Sequence, residues 1–144
     1  MKIGEHKIES AEEFVRLSWS EDGAESLRSV YGWAEDAVWH DVLNRFPDMT
    51  SWVIHNKSVP HTILDRVIET GDSGLREEVT IKRKLNAAQM ERLVRDPDWR
   101  VRQGIAGHPK ISEELLLRLQ KDSNHWVRRR AYQKLTKRKL KIGV

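Results

Sequence analysis

A 26-residue period runs from about Asp48 to the C-terminus of this 144-residue chain. In register, Val53, Val79, Ile105 and Ala131 share one position, Met49, Leu75, Val101 and Val127 a second, and Val67, Leu93 and Leu119 a third. Four copies are read, the last truncated. A period of this length, carried by apolar positions, predicts stacked short helical units, because no such unit can bury its apolar face alone. The expected fold is all-α, a helical-repeat solenoid that offers a long surface to a partner instead of enclosing a reaction chamber.

Each copy is predicted to hold two short helices. In the clearest one, Asp96 reads as an N-cap with Pro97 at the first helical position, Trp99, Val101, Ile105 and Ala106 follow, and Gly107-His108-Pro109 breaks the helix. Ser112 opens the second helix, with Glu113 and Glu114 in its positive first turn and Leu115, Leu116 and Leu119 behind them; Asn86 and Pro60 hold the Ser112 position in earlier copies. Helices of about eight to ten residues are marginal alone in water, so stacking must hold them. Trp126 stands one residue out of register with Trp99, which marks the last copy as different and predicts a final helix to about Leu140 with a frayed end.

Ahead of the period, Ser10 with Glu13 and Asp22 with Glu25 mark two helix starts, Gly32 ends the second helix, and Ala34, Val38, Val42 and Phe46 pattern a third that stops at Pro47. These three helices do not show the period and read as an N-terminal cap. The expected organisation is a single domain: a cap over residues 1–47, repeats over 48–137 and a basic tail over 138–144. About ten short helices are expected in all.

The chain has no cysteine, which excludes disulfides, thiolate catalysis and iron–sulfur ligation and fits a reducing compartment. No apolar run approaches the length of a membrane span, and Met1 to Ser10 lack a signal-peptide core, so a cytoplasmic protein without membrane contact is expected. The net charge of +4 hides a gradient: residues 1–50 carry 11 acidic and 5 basic side chains, whereas residues 123–144 carry 8 basic and no acidic ones. Such asymmetry can steer a charged partner to one end or favour self-association, and monomer and dimer both remain open.

Catalytic constellations are missing from the sequence. The six histidines are scattered, none stands at the His-Glu-x-x-His spacing, and there is no phosphate loop or nucleophile elbow. The expectation is a non-enzyme with no cofactor or metal. Candidate partner contacts lie elsewhere. Arg76, Arg102 and Arg128 share one register position and form either a structural ladder with acids such as Asp96 and Asp122 or a phosphate-binding stripe. At the turn between helices the register stacks Asn56, Lys82, His108 and Lys134, with Lys57, Arg83, Lys84 and Lys110 beside them, either an ordinary solvated surface or a basic ridge. Arg129 and Arg130 lead the C-terminal cluster, where Trp126 and Tyr132 are interleaved with cations and either close the core or stack on bases. Most of the six tryptophans are expected to anchor the core, with one or two left to mark a binding site.

The residues Asp96-Pro97-Asp98-Trp99-Arg100-Val101-Arg102, the break Gly107-His108-Pro109-Lys110 and the run Ser112-Glu113-Glu114-Leu115-Leu116-Leu117-Arg118-Leu119 resemble the leucine-rich repeat variant family, a HEAT-like helical-repeat family. The resemblance covers about residues 48–137 and implies a right-handed superhelix whose first helix in each unit is a 3₁₀ or short α segment. The iron–sulfur cluster of some members does not carry over to a chain without cysteine. Pro47-Asp48-Met49 through Trp52-Val53, His55-Asn56-Lys57 and Lys82-Arg83-Lys84-Leu85 are also similar to small bacterial repeat proteins encoded beside polymorphic toxin genes. That second resemblance implies an immunity or antitoxin-like protein whose partner is a toxin. The alternative expectation is sequence-nonspecific nucleic-acid binding through the basic turn ridge and C-terminal helix.

Overall fold

Helix starts are set by local capping. In the computed structural model, which describes residues 1–141, the Ser10 hydroxyl accepts from the N–H of Glu13 at 3.1 Å and opens α1 (Ala11–Ser18). The Glu13 carboxylate reaches back to the N–H of Glu9, one residue earlier than in a full capping box. Asp22 accepts from Ala24 and Glu25 to open α2 (Gly23–Tyr31), which ends at Gly32. The third helix, α3, runs Asp36–Arg45 and is followed by a 3₁₀ turn at Pro47–Met49 that leads directly into α4 (Thr50–His55). Then come α5 (His61–Thr70), α6 (Ser73–Val79), α7 (Ala87–Val94), α8 (Trp99–Ala106), α9 (Glu113–Leu119) and the long α10 (His125–Lys141). Residues 142–144 of the expected tail lie outside the described residues, whereas 138–141 belong to α10.

The described residues are all-helical apart from one isolated parallel bridge, Lys7 with Trp33. They gather into two compact units, Met1–Glu69 and from Thr70 onward. This division does not fall at residue 47, because the 3₁₀ turn and α4 pack on α3 and stay with the N-terminal helices. In the first unit, Ile8, Phe14, Leu17, Trp39, Val42, Val53 and Ile54 are fully buried, and the rings of Phe14 and Trp39 meet edge to face at 5.2 Å. In the second, α6, α8 and α10 pack side by side, α7 lies against α8, and α9 lies against α10 and α7. Val79, Leu93, Val101, Ile105, Leu116, Val127 and Ala131 form its core.

The expected start of α8 shifts here, whereas the short α form of the first helix in each unit is one of the two expected. Asp96 does not cap α8; Asp98 does, accepting from the N–H of Arg100 at 2.8 Å, while Asp96 is held by Arg76. Pro97 therefore stands before the cap. Both α6 and α8 are α-helical, and among the described residues the only 3₁₀ segment is Pro47–Met49.

Candidate functional site

Arg76 and Arg102 make the same bonds 26 residues apart. Arg76 grips Asp96 through Nε (2.6 Å) and Nη2 (3.1 Å), and Arg102 grips Asp122 through Nε (2.7 Å) and Nη2 (3.1 Å). Each also donates Nη1 to a backbone carbonyl, Gly71 O or Asp96 O, at 2.8 and 2.7 Å. Their side chains keep only 17% and 14% of their exposure, so these forks bind the protein to itself and are not a phosphate stripe. Burial alone would push the Asp122 carboxyl up, but Arg102 and the N–H of Asn124 more than offset it and hold the carboxyl below its ordinary value.

The turn row also points inward. Asn56 is fully buried, its amide donating to Ser29 O (2.8 Å) and Gly32 O (2.9 Å). His108 is 1% exposed; Nε2 lies 2.7 Å from Lys82 O and Nδ1 accepts from the N–H of Lys110 at 3.0 Å. Those partners place the proton on Nε2. Burial lowers the pKa of this imidazole, as do the nearby charges of Lys134 and Lys110. Lys134 Nζ donates to Gly107 O at 3.1 Å. Each of these side chains ties one turn to a turn about one period earlier, which removes His108 and Asn56 from any solvent-facing ridge. Lys57 in the first unit and Arg83, Lys84 and Lys110 in the second are exposed as expected.

The C-terminal cations divide by helical face. On the packed side of α10, Arg128 donates to Asp122 O (2.7 Å), Lys134 to Gly107 O and Arg138 to Pro109 O (3.3 Å). The Arg130 guanidinium lies over Gly107 so closely that a methyl there would sit 2.5 Å from Nη2. Arg130, Lys134 and Arg138 meet the carbonyl-rich end of α8 and the turn after it, where positive charge is favoured, whereas Arg128 holds the turn just ahead of α10. Arg129 and Lys137 face away and Lys139 and Lys141 lie at the two edges of that outward arc, all four exposed and without an ion pair among the described residues. Of the predicted contacts, Arg129 therefore points outward, whereas Arg130 and Lys134 are held against the α8 end.

The tryptophans depart most from expectation. Only Trp39 is fully buried, while Trp19, Trp52 and Trp126 are 66%, 40% and 43% exposed. Helical phase explains Trp19 and Trp52. The buried stripe of α1 is Ala11, Phe14 and Leu17, so Trp19, two residues on, falls on the opposite side. Likewise Thr50, Val53 and Ile54 turn Trp52 of α4 outward. The two rings meet in the first unit, 5.3 Å apart and tilted by 40°. Beside them a cavity of about 310 Å³ is lined by Ser29, Val30, Ser51, Trp52, His55 and Asn56. Leu27, one turn before Val30 on the same helix face, is 46% exposed. Glu21 and Asp22 follow Trp19, and Asp48 precedes Trp52 by one turn, all exposed. This is an apolar patch within an acidic neighbourhood. In the sequence the tryptophan count and the acidic N-terminal end hinted at it.

Among the described residues no group of three or more His, Asp or Glu side chains is placed to hold a metal ion, and no helix is long and apolar enough to cross a membrane. In comparisons with protein-family models, curated proteins and solved structures, the chain matches none.

Proposed function

We propose that the protein is a non-enzymatic helical-repeat module that binds another protein through the Trp19–Trp52 face of its first unit. The carrying observation is that ring pair: two large aromatics held outside the core, next to a cavity, with Leu27 on the neighbouring helix face. Exposed tryptophan is a common anchor of protein interfaces, worth more per residue than charged rim contacts. Residues 1–69 carry 13 acidic and 7 basic side chains, so a partner with a cationic docking surface is drawn to this unit and meets it faster at low salt.

The helical-repeat reading, right-handed by the family resemblance, is supported as a repeat by bonds that recur at the sequence period. Besides the Arg–Asp pairs, Thr62 donates to Asp36 and Arg66 Nη1 meets His40 Nδ1, each across 26 residues, so α2 and α3 read as a further copy ahead of Asp48. Its apolar positions are displaced: Trp39, Val42 and Leu43 precede Leu64, Val67 and Ile68 by 25 residues, not 26. The one-residue shift hid that copy from the sequence register. The resemblances to leucine-rich repeat variant proteins and to repeat proteins encoded beside bacterial toxin genes specialise the reading: a cytoplasmic immunity-type protein that covers a toxin.

Co-expression with the product of the adjacent gene tests this. The wild-type chain should restore growth and bind that product in calorimetry, and Trp19→Ala/Trp52→Ala should weaken binding by at least about 100-fold with helicity unchanged. Undiminished binding by the double variant would place the contact elsewhere and defeat the proposal.

A further inference from the structure

Among the described residues no ion pair ties the cations on the outward arc of α10 to another element. The packed side of the helix already uses Arg128, Arg130, Lys134 and Arg138, and it needs no more charge. Yet Arg129, Lys137, Lys139 and Lys141 remain, exposed, with no acidic residue anywhere in the helix. Uncompensated cations on one helix repel one another, which costs stability unless a polyanion answers them.

Aromatic groups share that face. Trp126 is 43% exposed and Tyr132 63% exposed, so neither closes the core, which Val127, Ala131 and Leu135 fill instead. The Arg129 guanidinium stands 5.8 Å over the Trp126 ring and the His125 ring lies 4.6 Å from it. Trp126, Arg129, Gln133 and Lys137 follow at spacings of three and four, a stripe roughly 16 Å long. On the adjacent α8, Arg100 holds the register position of Trp126 and its guanidinium lies 5.3 Å over Trp99. Each of the two packed helices thus carries a ring with a guanidinium over it, the α10 cations without an ion pair and Arg100 of α8 also 3.8 Å from Asp98.

We propose that this face is a binding surface for single-stranded nucleic acid, with Trp126 stacking on a base and Arg129, Lys137, Lys139 and Lys141 taking phosphates. Stacking asks for an unpaired base and a ring that solvent can reach, and the free cations supply the backbone term. A membrane surface fits less well, because the stripe carries Gln133 and cations where an inserting helix needs a continuous apolar face. The site is separate from the Trp19–Trp52 face, so either can fail alone.

The test is fluorescence anisotropy of labelled 20-nucleotide single-stranded DNA and RNA with the full chain, against the duplex and polyglutamate. Three or four neutralised phosphates predict that affinity falls roughly 20- to 50-fold between 50 and 200 mM NaCl. Trp126→Ala should weaken single-strand binding at least about fivefold. Arg129→Gln/Lys137→Gln should weaken it and flatten the salt slope, with the thermal midpoint unchanged. Arg130→Gln, on the packed side, should instead lower the midpoint and leave single-strand affinity within about twofold of wild type. The proposal is overturned by no binding at 50 mM NaCl, by salt-independent binding, by equal affinity for polyglutamate, or by duplex preference indifferent to Trp126→Ala.

Discussion

At the scale of single residues, the inward charges are the strongest structural commitments. Arg102 and Asp122 are nearly covered, so removing one leaves the other without its partner. Arg102→Ala should cost about 3 kcal/mol in urea unfolding, and Arg102→Met/Asp122→Leu should recover most of that loss. A double-variant loss equal to the sum of the two single losses would mean that the pair is not coupled. His108 gives a pH signature. Its folded pKa lies below its ordinary value, so between the two the unfolded chain binds more protons and stability rises with pH. Stability is therefore fully present above about 6.5 and is lost as pH falls toward the folded value. The thermal midpoint should drop between pH 7.5 and 5.5, and His108→Gln should shrink that drop. The register made both residues visible, but direction it left open: an arginine that bridges and one that waits for phosphate look alike in sequence. What separates them is an acid 20 residues downstream, Asp96 or Asp122, and that partner depends on how helices pack.

Among the elements, α8 depends on close approach. A methyl at Gly104 would sit 2.5 Å from Thr80 Oγ1, so α8 lies against the end of α6 with no room for a side chain. Alanine there would raise intrinsic helix propensity by about 1 kcal/mol, yet Gly104→Ala should destabilise, and Thr80→Ala should restore much of the loss in the double variant. A more stable Gly104→Ala protein would contradict this packing. Helix existence was largely legible, since Ser10, Asp22, Asn86 and Ser112 cap where their spacing predicts. The α8 boundary was not, because Asp96 and Asp98 are both good caps and only the Arg76 contact chooses between them. The exposed tryptophans were illegible for a similar reason. Burial of Trp19 or Trp52 turns on a phase difference of one or two residues, and a large ring in the sequence reads as core by default.

Across the whole molecule, charge follows the two units. Residues 1–69 are net −6 and residues 70–144 net +10. The covered Arg–Asp pairs of the second unit are little screened by salt, whereas repulsion among its exposed cations is. Raising NaCl from 20 to 300 mM should therefore slow amide exchange at Val101 and Leu116 by roughly threefold to fivefold, with a smaller change in the first unit. Faster exchange in the second unit would mean that attraction outweighs repulsion there.

The exposed tryptophans also make the molecule its own optical reporter. Iodide, an anion, should collide with and dim the indole of Trp126 beside its free cations, whereas caesium should reach Trp19 and Trp52 among the acids of the first unit. Two quenchers of opposite sign can then report, without any label, which of the two faces a bound molecule has covered.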